Sequence, residues 1–539
     1  MGHENNIDSI RALERQIEEG KGDTIKLKRA RNSLLNISTY VPPEILGGIF
    51  VRSLVWNGGY SSLGPWDVKR LQKGSYNFLL VCHHWFEVAS LTPELWNFWG
   101  NTLRDWKKRH PRSGTTPFDL VLNGDKHDPH ASFDESLEEA VRGRALQGTI
   151  RRVHLTSGDG STLTPIISSL TPNGEGSQNE NIESINWRNG GFVSVDVTNF
   201  FARSRLSKLH FLGLSGNFRI SSWDRLASQT TLLTTLSLKV NQPSPTTTVS
   251  QLFLILASTP NLQGLSLSGA AIPEDADGST FQVPLPNLKT LSLTREFRLL
   301  FGLLRQLILP EMLDEIELTG LKSTVHDVSQ TLAPYIQDHF RRDARFQTGL
   351  EVSSSFSTSS ISISVNVVCS QTTIQAQKLP RAAFAASLAS TPPPDVLEQL
   401  FIDFIAPLPR EHVLFFEDQV GKKLPEELYF MMPNIETLHI SDVKSLKGGF
   451  LQPNPDGPCA NMKLLPSLRS LRLRGAYLDD DDWDCLAKYI AHQTSGGQTI
   501  SLDVGGYASS PCLEVVEGIV GMVEIFTSDW LYLESGNGD

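Results

Sequence analysis

Pro260-Asn261-Leu262-Gln263-Gly264-Leu265-Ser266-Leu267 returns further along the chain as Pro286-Asn287-Leu288-Lys289-Thr290-Leu291-Ser292-Leu293. It returns again as Pro433-Asn434-Ile435-Glu436-Thr437-Leu438-His439-Ile440 and as Pro466-Ser467-Leu468-Arg469-Ser470-Leu471-Arg472-Leu473. All four fit Pro-(Asn/Ser)-Leu-x-x-Leu-x-Leu, with isoleucine exchanged for leucine in the third. The last two apolar residues stand two apart, so strand alternation sends both to one face. The first apolar residue reaches the same core from the preceding turn. One such unit cannot bury its apolar face alone; stacked copies pair their strands into a parallel sheet around a shared core.

Looser copies centre on Leu120/Leu122, Val153/Leu155, Ile185/Trp187, Leu209/Phe211, Leu236/Leu238, Ile316/Leu318, Ile363/Val365, Leu400/Ile402 and Ile500/Leu502. Taken together with the four clear copies, the units are spaced from roughly 24 to 47 residues and on average about 32, beyond the usual 20–29 of leucine-rich repeats. The texture resembles an irregular leucine-rich-repeat domain whose longer units carry loops or helix. Val249–Ser258 and Val325–Phe340 are expected as helices between strands. Asp479–Asp482 opens another, running through Trp483, Leu486, Ala487 and Ile490. Leu513, Val516, Ile519, Val520 and Val523 predict a final capping helix. The serine-rich stretch Ser353–Ser364 alternates with Ile361, Ile363 and Val365 and is expected as strand. The stretches at Gly174–Asn181, Pro243–Thr248, Glu274–Gly278 and Pro453–Pro458 are turn-rich loops.

Upstream the texture differs. Ile7, Ile10, Leu13 and Ile17 lie at helical spacing, and Ile25, Leu27, Leu34 and Leu35 resume it after Gly20-Lys21-Gly22-Asp23. Val41-Pro42-Pro43-Glu44 opens a helix that continues through Ile45, Leu46, Ile49 and Phe50, with proline tolerated in the first turn. A second apolar helix is expected from Tyr76 to Ala89, and a short one from Thr92-Pro93-Glu94-Leu95-Trp96.

These three strings, with Leu80-Val81-Cys82-His83-His84-Trp85 in the middle, resemble an F-box, in particular the F-box-like module of the expanded fungal family. The match covers roughly 60 residues. Val41 stands where that family has leucine, and the stretch from Trp56 to Ser75 is a longer insert. The resulting expectation is α/β: a short all-α F-box-like module followed by an irregular leucine-rich-repeat-like solenoid with a parallel sheet. The boundaries are 1–36 for an N-terminal helical segment, 37–100 for the F-box-like domain, 101–114 for a basic linker and 115–539 for the solenoid with its cap.

Composition narrows the function. The net charge of -11 and pI near 5.7 give no footing on phosphate backbones or anionic lipid, so neither nucleic acid nor membrane is an expected partner. Five scattered cysteines without CxxC spacing argue against a disulfide framework or a zinc site. MGHENNIDSI lacks the apolar core of a secretory signal, and the cytoplasm or nucleus is the expected compartment. Lys26–Arg31 has the composition of a basic import signal, but packing helix is the plainer reading. No GxxxxGK(S/T), HExxH or GxSxG occurs. Cys82, beside Val81 and Trp85, reads as a small core residue, His127 and His130 have no companion ligands, and Asp479–Asp482 lacks the alternation of a calcium loop. No enzyme activity and no cofactor is expected.

The resemblance implies a substrate-recognition adaptor of an SCF-type (Skp–cullin–F-box) ubiquitin ligase. Pro42, Pro43, Ile45, Leu46, Ile49, Phe50, Leu79, Val81 and Trp85 occupy the positions that would meet a Skp-type adaptor; Val81 and Trp85 could equally hold the module's own core. An unknown protein substrate would lie on the outward strand positions, where His210, Lys239, Phe401, Asp403, His439, Arg472 and Arg474 are the candidates. The alternative is a ligase-independent interaction scaffold using the same repeat surface.

Overall fold

A computed structural model describes residues 2–19, 23, 26–28, 30–31, 41–54, 75–81, 83–99, 112–113, 116–124, 139, 141–143, 149–158, 160–171, 179–221, 223–240, 248–274, 282–343, 345, 349–356, 360–367, 380–406, 408–409, 413–418, 432–440, 465–474, 486, 490, 500–505 and 523–526. The chain divides into two units, Met1–Leu262 with Gly269–Ala271, and Gln263–Ser268 with Ile272–Asp539.

The first unit opens with helices α1 (Gly2–Glu18), α2 (Pro43–Leu54) and α3 (His83–Leu91), then a 3-10 turn at Pro93–Trp96. Strands β1 (Phe98–Trp99), β2 (Phe118–Gly124), β3 (Ile150–Ser157), β4 (Ser184–Asn189), β5 (Val195–Asp196), β6 (Phe211–Gly216), β7 (Phe218–Arg219) and β8 (Thr235–Val240) follow. Helices α4 (Gly160–Leu170), α5 (Thr198–Arg203), α6 (Trp223–Gln229) and α7 (Val249–Ser258) are spaced among and after them. β1, β2, β3, β4, β6 and β8 lie side by side in that order, every pair parallel. β5 and β7 form a separate short parallel pair.

Alternation builds two buried columns across this sheet. Leu120, Val153, Ile185, Leu212 and Leu236 are in register, as are Leu122, Leu155, Trp187, Leu214 and Leu238, and all are buried. Trp187 anchors the middle, with its ring centroid 5.0 Å from Phe200 and 5.9 Å from Phe201 of α5. The first apolar residue of each unit closes a turn just before its strand. Ile182 donates its N–H to Asn179, Leu209 to Leu206, Leu233 to Thr230 and Leu262 to Thr259 at 2.9–3.1 Å. α7 starts where expected because Thr248 and Gln251 form a reciprocal capping box.

The second unit contains β9 (Gly264–Gly269), β10 (Val283–Pro284), β11 (Thr290–Glu296), β12 (Leu307–Ile308), β13 (Glu315–Ser323), β14 (Leu350–Phe356), β15 (Ser360–Val367), β16 (Arg381–Leu388), β17 (Val413–Asp418), β18 (Thr437–Ile440), β19 (Ser470–Arg474), β20 (Ile500–Gly505) and β21 (Val523–Phe526). Its helices are α8 (Phe297–Leu304), α9 (Ala333–Arg342) and α10 (Pro394–Ile405). Among the described residues eleven of these strands make one mostly parallel sheet, in the order β9, β11, β13, β16, β15, β14, β17, β18, β19, β20, β21. The architecture is therefore mixed α/β.

Several expectations need correction. The unit around residue 210 is slipped by three: Leu209-His210-Phe211-Leu212-Gly213-Leu214 carries the consensus, with Leu209 in the turn and Leu212 and Leu214 in the columns. Likewise Leu502 and Val504 align with Leu471 and Leu473, so Ile500/Leu502 was two residues early. Ile363 and Val365 lie on β15, which runs antiparallel to both β14 and β16, so a meander replaces the expected parallel repeat. Leu400 and Ile402 are in helix α10, because Pro392-Pro393-Pro394 and Asp395 start a helix rather than a strand.

The expected helix Tyr76–Ala89 is two pieces, with turns at Leu79–Val81 before α3 begins at His83. Val325–Phe340 is helical throughout but passes through a π-turn at Val328–Leu332. Val523 opens a strand, not the end of a helix, while Leu513, Val516, Ile519 and Val520 lie outside the described residues. The same holds for Asp479–Asp482, His127, His130, Cys82 and most of the basic linker.

Candidate functional site

The residues singled out as an adaptor surface fold into a small helical module in the first unit. Leu46 and Phe50 project from α2 and are buried with Val88, Ala89, Leu95 and Trp96. Phe50 stacks on Phe78 at 4.4 Å and lies 4.7 Å from the Trp85 ring. Trp96 donates its indole N–H to the Ala89 carbonyl at 2.7 Å, which satisfies the polar atom of the most buried side chain. Arg112, at the end of the basic linker, sits over that same indole at 4.7 Å, so it is a packing residue rather than a free linker charge. Gly47 is where α2 passes closest to the 3-10 turn: a Cβ there would lie 2.7 Å from the Thr92 hydroxyl oxygen.

Burial divides the nine expected adaptor residues in two. Leu46 and Phe50 are core, and Leu79 and Trp85 pack against that core half-buried. Pro42, Pro43, Ile45, Ile49 and Val81 are exposed, Ile45 and Ile49 to 58% and 51%. Of the pair left open between surface and core, Trp85 is core and Val81 is surface. Leu80, Phe86 and Leu91 are also exposed, and sequence reading missed them as surface residues. The signal was there: Leu80 and Leu91 fall at helix ends, where an apolar residue has no helix neighbour to cover it.

Ile45 and Ile49 share one flank of α2. On the other flank lies a groove of about 960 Å³ between α2, α3 and the 3-10 turn. Pro43, Val51, Phe86 and Leu91 give it apolar walls, and Glu44, Glu87 and Glu94 ring it with carboxylates.

The seven candidate substrate residues do not form one site. Lys239 is exposed on β8 and Arg472 on β19, as expected for outward positions. Arg474 ends β19. His210 precedes β6 instead of lying on a strand, and its Nδ1 is 3.0 Å from the Leu232 carbonyl. His439 is buried on β18, flanked in register by Glu417 and Arg472, so it offers no surface. Phe401 and Asp403 belong to α10. Phe401 is buried, and the Asp403 carboxylate accepts from the Ser329 hydroxyl at 2.6 Å and from Gln399 at 3.0 Å. These three are corrections: strand alternation does not apply on a helix, and His439 is buried where alternation predicts an outward, exposed residue.

Sequence reading also missed a cluster on the face of the first sheet opposite the buried columns. Asp119 on β2 is buried, and its carboxylate receives two hydrogen bonds from Arg151 at 3.1 and 3.2 Å with Arg152 3.7 Å away. Burial pushes the Asp119 carboxyl up, and the two arginines oppose that push. On β3, burial and the nearby Arg188 charge hold the His154 imidazole down to about 4. Only the strand register brings these residues together.

Among the described residues no group of three or more His, Cys, Asp or Glu is placed to hold a metal, and no helix is long and apolar enough to cross a membrane. The chain matches no family model and no curated protein.

Proposed function

We propose that the protein is a non-catalytic recognition subunit of an SCF-type ubiquitin ligase, an F-box-like module joined to a leucine-rich-repeat-like solenoid. The observation that carries this reading is the partition of the helical module. It closes a compact aromatic core and still presents Ile45, Ile49, Leu80 and Val81 to solvent. Several large exposed aliphatics on one small module are a mark of protein docking. A module that had lost its partner would fold such a face inward. Pro42, Pro43, Ile45, Ile49 and Val81 are the contacts to a Skp-type adaptor; Leu46, Phe50, Leu79 and Trp85 hold the frame behind them. The recurring turn-plus-strand unit supports the solenoid reading, with a three-strand meander as its irregularity. The protein would act by bringing a target close to the ligase, raising effective concentration rather than making or breaking bonds.

The test is binding of the full chain to a purified Skp-type adaptor. Wild type is expected to bind saturably, and Ile49→Asp to lose binding with its near-UV circular dichroism unchanged. Absence of binding by a folded wild-type chain would refute the ligase reading and leave a ligase-independent scaffold that uses the sheet surface.

A further inference from the structure

Strand register in the first unit places Thr156, Arg188, Ser215 and Lys239 in one row across β3, β4, β6 and β8. All four alternate with the buried columns and so face away from them. Arg188 and Lys239 are exposed, and among the described residues neither takes part in an ion pair. Two strand spacings separate them, about 10 Å between Cα atoms. The residue between them is a serine, so the two long cationic side chains stand either side of a notch. The adjacent row is His154, Asn186, Gly213 and Ser237. Gly213 has no side chain there, and the Phe211 ring lies across it: a Cβ at Gly213 would be 2.9 Å from the ring edge and 3.1 Å from the Asn186 side-chain oxygen. The floor beside the notch is therefore an aromatic surface bordered by an amide. His154 completes it, with a buried Nδ1 that has no hydrogen-bond partner.

Among the described residues, the carboxylates near this face lie at the β2 end of the sheet: Asp119 is held by Arg151 and Arg152, and Glu183, just before β4, is close enough to act on Asp119. Arg188 is close enough to His154 to disfavour its protonation. A positive notch on a chain of net charge -11 does not follow from composition. Two cationic side chains flanking one small residue complement an anion at that position.

We propose that the open face of the first sheet binds an anionic side chain of a protein ligand, a carboxylate or a phosphate ester, seated over Ser215 between Arg188 and Lys239. An apolar residue next to that anion rests on Phe211. This inference deepens the recognition role proposed above and rests on it for the identity of the ligand as a protein target.

The probe is a set of fluorescein-labelled twelve-residue peptide pools with randomised flanks and a fixed centre of Glu-Leu, phosphoserine-Leu or Gln-Leu, titrated with the full chain by anisotropy. The Glu or phosphoserine pool is expected to bind at least tenfold tighter than the Gln pool, and to weaken as salt rises. A clear preference for phosphoserine over Glu identifies the phosphate ester as the source; parity identifies the carboxylate. Arg188→Glu and Lys239→Glu should each remove the preference, and Arg305→Glu, an exposed charge in the second unit, should not. Equal binding of all three pools, or a preference unchanged in the Arg188→Glu/Lys239→Glu chain, would overturn the proposal. The same variants titrated with the Skp-type adaptor separate the two readings. Ile49→Asp should lose the adaptor and keep the peptide, and the notch reversals should do the opposite.

Discussion

Asn189, at the end of β4, holds the exit of the sheet on a single buried side chain. Its Nδ2 donates to the Val193 carbonyl at 2.8 Å and to the Asn217 carbonyl at 2.9 Å, and its Oδ1 accepts from the Gly191 N–H at 3.0 Å. Asn217 answers by donating to the Gly191 carbonyl at 2.8 Å. Gly216 makes room for this: its φ is 107°, and a Cβ there would fall 1.7 Å from the Asn189 carbonyl oxygen. Replacing Asn189 by leucine keeps the branched outline of the side chain and removes three hydrogen bonds, each worth about 1 kcal/mol net. It also leaves the Gly191 N–H buried without an acceptor, at about 1–3 kcal/mol. The expected loss is about 4–6 kcal/mol, concentrated on the loops after β4 and β6. A single melting curve suits a chain of two units poorly. Hydrogen exchange read on peptides covering 186–220 suits it better, since exchange reports local opening. Protection there should fall by roughly a thousandfold or more, with little change in peptides covering 290–323. Less than tenfold acceleration in 186–220 would refute the view that this side chain fastens the strand exits.

Phe50→Ala should destabilise the helical module by about 3–5 kcal/mol and abolish adaptor binding through unfolding, visible as lost near-UV circular dichroism, in contrast to Ile49→Asp. His154 stays neutral in the folded chain down to about pH 4 but takes a proton near 6.5 when unfolded. Stability should therefore fall as pH drops from about 6.5 toward 4, by at most about 3 kcal/mol from this group; His154→Asn should flatten that slope in urea titrations, and an unchanged slope would remove His154 as its source. Thr248→Ala should cost about 1 kcal/mol by opening the capping box of α7, measured as faster exchange across 249–258.

The second-unit sheet and its rows were legible wherever the full Pro-Asn-Leu-x-x-Leu-x-Leu string stood. Leu265, Leu291, Leu438 and Leu471 all lie on strands as read. Among the looser copies, Leu120/Leu122, Val153/Leu155, Ile185/Trp187, Leu236/Leu238 and Ile316/Leu318 lie on strands as read, whereas the register slipped at Leu209/Phe211 and Ile500/Leu502. Leu209 looks like a strand residue by alternation with Phe211, and only its turn hydrogen bond to Leu206 identifies it as the first leucine. The α10 error has a different origin: Leu400 and Ile402 alternate as a strand would, yet Leu397, Leu400, Phe401, Phe404 and Ile405 also fit a helical face, and the helical face is the buried one. In the helical module, spacing found the apolar residues but could not sort them, because Ile49 and Phe50 are chemically alike and only one faces the core. The notch was illegible for a deeper reason. Arg188 and Lys239 are far apart in sequence, and their adjacency exists only through the pairing of β4, β6 and β8.

The meander in the second unit bears on how the chain is made. β13 ends at Ser323, but its partner on the far side is β16, beginning at Arg381; β14 and β15, synthesised first, end up farther away. As the polypeptide emerges, the free edge of β13 stays open while about 60 residues are added, roughly 3–12 s at ordinary elongation rates. During that interval β14 is the nearest strand available, and it would pair parallel with β13 as the preceding strands do. A ribosome-bound chain stalled before residue 380 should therefore carry a mispaired β14, which the arrival of β16 must displace. Slowing translation through residues 357–380 would lengthen the life of that competitor, making the codon usage of this stretch a determinant of how much chain folds correctly.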